Sequence, residues 1–180
     1  MALSVVDAGA SGATAPIDWA AVQIAQFDHD EKYHREISRL TVQDRLRHMS
    51  LHFAKYAGRL WEENGDDERQ KTVIDSLIIA VSTANILNIN LATASIPASS
   101  NCGDTTFARR LSVAAGRFAG ACERLDHLED VPYRKILSAE MLAILGACLD
   151  AARAEGWCPV SEMRDRLRPI KAKSIFFGKL

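Results

Sequence analysis

His48, His52, Lys55 and Arg59 recur at i, i+4, i+7 and i+11 inside an apolar run. A helix turns once per about 3.6 residues, so the spacing puts all four on one face. Cations and imidazoles in that pattern can hold a phosphate or carboxylate, arginine by paired N–H bonds and lysine as a point charge. The same stripe is equally compatible with a solvated face whose charges pair with Asp44, Glu62 or Glu63. His48 and His52 also form HxxxH, a spacing that can chelate a transition metal. The glutamate of HExxH is missing and only Asp75 or His34 offers a third ligand, so ordinary helix histidines are the plainer reading.

Asp75 is the most informative acid, because it interrupts Val73-Ile74 and Ser76-Leu77-Ile78-Ile79. Burying it without a partner is costly. Two roles stay open: ligand or general base, or a buried ion-pair partner of Lys55, Arg59 or His52. Asn85 and Asn88 lie one turn apart on the same segment and can bond a base or sugar, or bridge helices, with bridging preferred. Tyr56 and Trp61 can stack on a base, although aromatics at helical spacing more often pack.

The elements that must carry these residues are helices. Asp18 is an N-cap for a helix through Trp19, Val22, Ile24 and Phe27. The charge-dense run from Asp28 to Glu36 is a solvated helix face in preference to the rim of a pocket. Thr41, with Asp44 three residues on, opens a long helix to about Glu63, with Met49, Leu51, Phe53, Tyr56 and Leu60 as its apolar positions. A turn at Asn64-Gly65-Asp66-Asp67 leads to a second, almost wholly apolar helix from Glu68 to about Leu91. Residues 93–104, with Pro97 and Gly103, form a loop. Asp104 caps a helix to about Leu128, and Pro132 starts another that runs from Tyr133 to about Ala154, ended by Gly156. A short helix over Ser161–Leu167 precedes Pro169 and a basic tail whose Phe pair packs on the bundle. The class is all-α.

At 180 residues the chain suits one domain: a small-residue disordered leader over 1–16, a helical domain over 17–168 and a tail over 169–180. Lys plus Arg number 22 against 23 Asp plus Glu, so no global field favours nucleic acid or membrane, and no apolar run reaches the length of a bilayer span. Cys102, Cys122, Cys148 and Cys158 lack close pairing and read as reduced, mostly buried thiols of a cytoplasmic protein.

An internal repeat emerges at an offset of 62. Met49 meets Leu111, Leu51 meets Val113, His48 meets Arg110, and Lys55-Tyr56-Ala57-Gly58 meets Arg117-Phe118-Ala119-Gly120. Residues 41–92 and 104–155 then form two helix hairpins that pack as a four-helix bundle.

Lys55-Tyr56-Ala57-Gly58-Arg59-Leu60, followed by Thr72-Val73-Ile74-Asp75 and the ending Ala84-Asn85-Ile86-Leu87-Asn88, resembles the MazG-like all-α nucleotide pyrophosphohydrolases over about 45–92, and more weakly over 107–150. The resemblance implies a helical bundle in which an ExxE helix faces an ExxD helix, the acids hold Mg²⁺, and water attacks a nucleoside triphosphate. Asp75 stands at a matching acid position, whereas Tyr56, Arg59 and Thr72 stand where three other acids would be. The expectation is therefore a protein that binds a nucleotide or other phosphorylated small molecule, with weak or altered hydrolysis. His48, His52, Lys55, Arg59, Asn85 and Arg117 are the expected ligand-binding residues, and Asp75 the catalytic or residual metal-binding one. The other expectation is a non-catalytic dimeric scaffold that kept the fold and lost the metal site.

Overall fold

The computed structural model describes residues 16–62, 65–99 and 104–173, with Ile175 and Gly178 beyond them. The leader (but for its last residue), Cys102 and the Phe176–Phe177 pair lie outside the described residues. Among the described residues there are seven helices and no strand: α1 (Trp19–Tyr33), α2 (Arg35–Ser38), α3 (Val42–Arg59), α4 (Asp66–Ile86), α5 (Asp104–Asp126), α6 (Tyr133–Ala154) and α7 (Pro159–Lys173).

The four longest helices close a ring in which α3 packs on α4 and α5, and α6 packs on α5 and α4. The pattern of side chains explains it. Leu46, Met49, Phe53 and Tyr56 are buried along α3, and Leu111, Ala115, Phe118 and Cys122 along α5. The Phe53 and Phe118 rings meet edge-on at 5.5 Å, each fully buried. Burying such a ring stabilises the fold by about 1.5–3 kcal/mol. Leu51 departs from expectation and is 70% exposed. It lies two residues from both Met49 and Phe53, a rotation of about 200° that turns it to the opposite side of the helix.

Thr41 caps α3 as its sequence predicts: its hydroxyl oxygen accepts from the Asp44 N–H at 3.1 Å and donates to the Asp44 carboxylate at 2.7 Å. Asp18 likewise accepts from the Ala21 N–H at 3.0 Å at the start of α1. Helix α4 stops at Ile86, short of the apolar run's end at Leu91. Asn88 takes φ 53° there and the Ile89 N–H donates back to the Ala84 carbonyl at 2.9 Å. Asparagine tolerates the left-handed conformation that closes a helix in this way. Gly156 ends α6 by the same device at φ 69°.

The chain leaving α4 is pressed against α6. A Cβ on Gly146 would stand 2.0 Å from the Pro97 carbonyl oxygen, so only glycine permits the approach. Nearby, the Ser99 N–H donates to the buried Asp150 carboxylate at 2.8 Å, and Arg110 and Arg153 grip the same group at 2.7 and 2.8 Å.

Two outer helices, α1 and α7, lean on α4. Helix α7 passes through Pro169 to Lys173, so the expected stop at Leu167 and a separate tail from 169 do not hold. Proline removes one backbone donor and presses on the preceding turn, which can bend a helix without ending it. Helix α1 divides its apolar residues: Trp19 and Val22 pack on the core in line with the buried Gln26 and His29, while Ile24 and Phe27 are exposed. Polar bonds fix it that way. The Gln23 side chain donates to Asn85 at 2.9 Å and to the Ile89 carbonyl at 2.8 Å, and Ser82 donates to Asp30 at 2.7 Å. The charge-dense run is consequently divided: His29, Asp30 and His34 line a cavity, while Asp28, Lys32 and Glu36 stay exposed.

Candidate functional site

A cavity of about 320 Å³ opens between α1, α2, α3, α4 and α7. That is the lower end of the size range of small-molecule sites, roughly 300–1,000 Å³. Helix α3 contributes His48, His52, Lys55 and Arg59, the whole stripe, and α4 contributes Asp75 and Ser82. Sequence reasoning had named five of these six side chains as candidates for one site; Ser82 is the addition.

At neutral pH the stripe owes its charge to lysine and arginine. His48 and His52 share a hydrogen bond between their Nε2 atoms at 3.1 Å, and His52 Nδ1 lies 3.2 Å from the Tyr56 hydroxyl. Burial and the neighbouring Lys55 ammonium push His52 down to about 4, and burial lowers His48. Both rings are neutral at pH 7, and one must carry the proton that lies between them. Lys55 is lowered by burial and by Arg59, and its ammonium sits 4.7 Å over the Tyr56 ring. Burial raises the Tyr56 hydroxyl.

Asp75 accepts from Arg166 through both oxygens, at 2.7 and 2.9 Å, with Arg59 farther off at 3.9 Å. Hydrogen bonding to Asp75 raises the Arg166 guanidinium. Of the two roles open to Asp75 in the sequence, the ion pair is the one this geometry supplies. Arg166 was absent from the sequence reading, since nothing in a short polar helix ninety residues downstream marks it as the partner. Lys55 and Arg45, which also lines the cavity, have no carboxylate within ion-pair distance among the described residues. Arg45 was legible: it stands three residues before His48 and extends the stripe by one turn.

Helix α1 and the turn after it supply a further wall: Gln26, which sequence reasoning missed, with His29, Asp30 and His34 from the run it had preferred to leave as a solvated face. Four of the chain's five histidines therefore face one cavity. Two expected ligand residues lie elsewhere. Asn85 exchanges hydrogen bonds with Gln23, accepting at its Oδ1 and donating to the Gln23 carbonyl at 3.0 Å, so it bridges α4 to α1. Arg117 lies on α5 on a separate open surface, 4.0 Å from Glu140. Asn88 serves the end of α4, and Trp61 is exposed and donates to Ser112 at 3.0 Å. Of the cysteines, Cys122 and Cys148 are buried thiols and Cys158 is exposed.

These residues do not fit Mg²⁺. The cavity has two carboxylates, and each oxygen of both is already an acceptor: Asp75 from Arg166, Asp30 from Gln26 and Ser82. A hard cation needs several oxygen ligands, which guanidinium neighbours oppose. Among the described residues no group of three or more His, Cys, Asp or Glu is arranged to hold a metal ion. Nor, among them, is any helix long and apolar enough to cross a membrane.

Comparison with family models, with curated proteins and with solved structures finds no match for this chain.

Proposed function

We propose that the chain is a MazG-like helical bundle that binds a nucleotide or other phosphorylated small molecule in the α3–α4 cavity. One observation carries the reading: Lys55, a cation without a carboxylate partner among the described residues, lines the cavity one turn from the Arg59–Asp75–Arg166 cluster, and Arg45, likewise without one among them, lines it farther along α3. A phosphate there would take charge-assisted bonds from Lys55 and Arg59, and the neutral histidines could donate a single N–H to it. In this reading basic side chains do the anion-binding work that Mg²⁺ does in MazG-like proteins, and hydrolysis, if retained, is altered accordingly. The duplication gains support from burial. At the offset of 62, Met49 and Leu111 are both buried, Leu51 and Val113 both exposed, Phe53 and Ala115 both buried, and Tyr56 and Phe118 both buried.

Thermal shift against phosphorylated compounds, with and without Mg²⁺, tests the proposal. A ligand at a hundred times its Kd adds about 2.7 kcal/mol of apparent stability. Stabilisation that is Mg²⁺-independent and lost in Lys55→Ala is the expected result. No response across nucleotides, sugar phosphates and inorganic phosphate would refute it.

The second reading, a dimeric scaffold, draws on the exposed apolar Leu51 on α3, Trp61 just past its end and Val113 on α5. Sedimentation of the wild type and of Leu51→Asp decides it: a dimer that the substitution dissociates is required.

A further inference from the structure

Two buried side-chain atoms on the α1 wall of the cavity have no partner among the described residues. Gln26 and His29 are 2% and 4% exposed, both line the cavity, and among the described residues Gln26 Oε1 and His29 Nε2 make no hydrogen bond. Buried polar atoms are rarely left unsatisfied, since each costs about 1–3 kcal/mol.

Their chemistry follows from Asp30, which lies between them. The Gln26 amide Nε2 donates to Asp30 Oδ1 at 2.8 Å, which fixes the amide orientation and leaves Oε1 as an acceptor. His29 Nδ1 lies 3.5 Å from the same oxygen. A carboxylate beside Nδ1 favours the tautomer with its proton there, assigning Nε2 as an acceptor too. Asp30 itself is bonded by Ser82 and Gln26, and among the described residues no lysine or arginine makes an ion pair with it. Arg45 lines the cavity as well, its buried Nε making no hydrogen bond among the described residues, and it is not within ion-pair distance of Asp30. This part of the wall therefore offers two free acceptors around a carboxylate that lacks a cation. It wants N–H donors, and it favours positive charge.

The cationic cluster is at a different level. Ser82, which holds Asp30, and Asp75, which holds Arg166, are seven residues apart on one face of α4, about 10 Å at roughly 1.5 Å per residue. We infer that the ligand is a phosphorylated molecule bearing an amino or amidino group about 10 Å from its phosphate, the N–H donors bonding Gln26 Oε1 and His29 Nε2 beside Asp30. This deepens the proposed function and rests on it. Sites built to bond an N–H reject analogues that lack it, because the acceptors are then left unpaired.

Calorimetric titration of the purified chain with matched pairs tests the inference: aminohexyl phosphate against hexyl phosphate and hydroxyhexyl phosphate, and adenosine monophosphate against inosine monophosphate. The amino member of each pair is expected to bind at least about tenfold more tightly, the discrimination a lost hydrogen-bonding group commonly brings. In Gln26→Met and His29→Phe that ratio should fall towards one. Equal affinity within the pairs on the wild type would overturn the inference while leaving the anion site standing. Hydroxyhexyl phosphate binding as tightly as aminohexyl phosphate would overturn the commitment to N–H donors. A preference that survives both substitutions would overturn its assignment to α1. Failure of every phosphate to bind would overturn the proposed function with it.

Discussion

Arg166 on α7 grips Asp75 on α4 with two parallel N–H bonds, at 2.7 and 2.9 Å, across 91 positions of sequence. The carboxylate is 7% exposed, so it depends on this partner for its charge. Removing the arginine leaves a nearly buried anion answered by Arg59 at 3.9 Å and, from farther off, by Lys55. Arg166→Ala should therefore destabilise the fold by about 2–3 kcal/mol, less than the loss of a fully buried pair because Arg166 is partly open to solvent. Urea unfolding of the variant against Asp75→Asn/Arg166→Ala measures it, and the double variant should recover part of the loss.

The histidine pair sets a pH dependence with a definite sign. His52 is held at about 4 in the folded chain against an ordinary value of 6.5. Its folded value is depressed and it is a base, so the unfolded chain takes up the proton first. Stability is then full above 6.5 and falls as pH drops towards about 4. The full shift corresponds to about 3 kcal/mol, and partial solvent access at His52 reduces the expected loss to about half of that. Tm measured across this range should fall for the wild type and fall less for His52→Gln.

Gly146 is where the loop after α4 meets α6. Gly146→Ala puts a methyl group 2.0 Å from the Pro97 carbonyl oxygen, so the loop must move off the helix. We expect a loss of about 2–4 kcal/mol, in the range of overpacked or strained core sites. Denaturant midpoints check it. Loss of the Ser99–Asp150 bond should accompany the shift, visible as faster exchange of the Ser99 amide.

A substitution of opposite sign lies at the end of α5. Leu128 is 85% exposed and holds φ 55°, closing the helix where glycine usually stands. Leu128→Gly relieves that conformation and loses little packing, so it should stabilise by about 0.5–1 kcal/mol. Thermal unfolding of the purified variant would show a raised Tm.

Much of the architecture was legible because it depends on local periodicity. The apolar spacing of 46–60 and 111–125 defines α3 and α5, Thr41 and Asp18 announce the caps of α3 and α1, and Pro132 and Gly156 bracket α6. The stripe of His48, His52, Lys55 and Arg59 could be placed on one face for the same reason, and Asp75 stood out as an acid in an apolar run. Two helix ends were misplaced, α4 closing early at the left-handed Asn88 and α7 running on through Pro169.

Which faces look inward is another matter, decided by packing between segments distant in sequence. Helix α1 has polar and apolar residues on both sides, so its orientation follows from the Gln23–Asn85 and Asp30–Ser82 bonds, over 62 and 52 positions. That choice turned Gln26, His29 and Asp30 into a cavity wall and sent Phe27 to solvent. In the same way, the sequence determined that Asp75 needs a partner, from the cost of burying its charge, while only the tertiary structure decided that Arg166 supplies it. Local periodicity encodes the helices and the stripe; burial, which sets every charge's partner, belongs to the assembled chain.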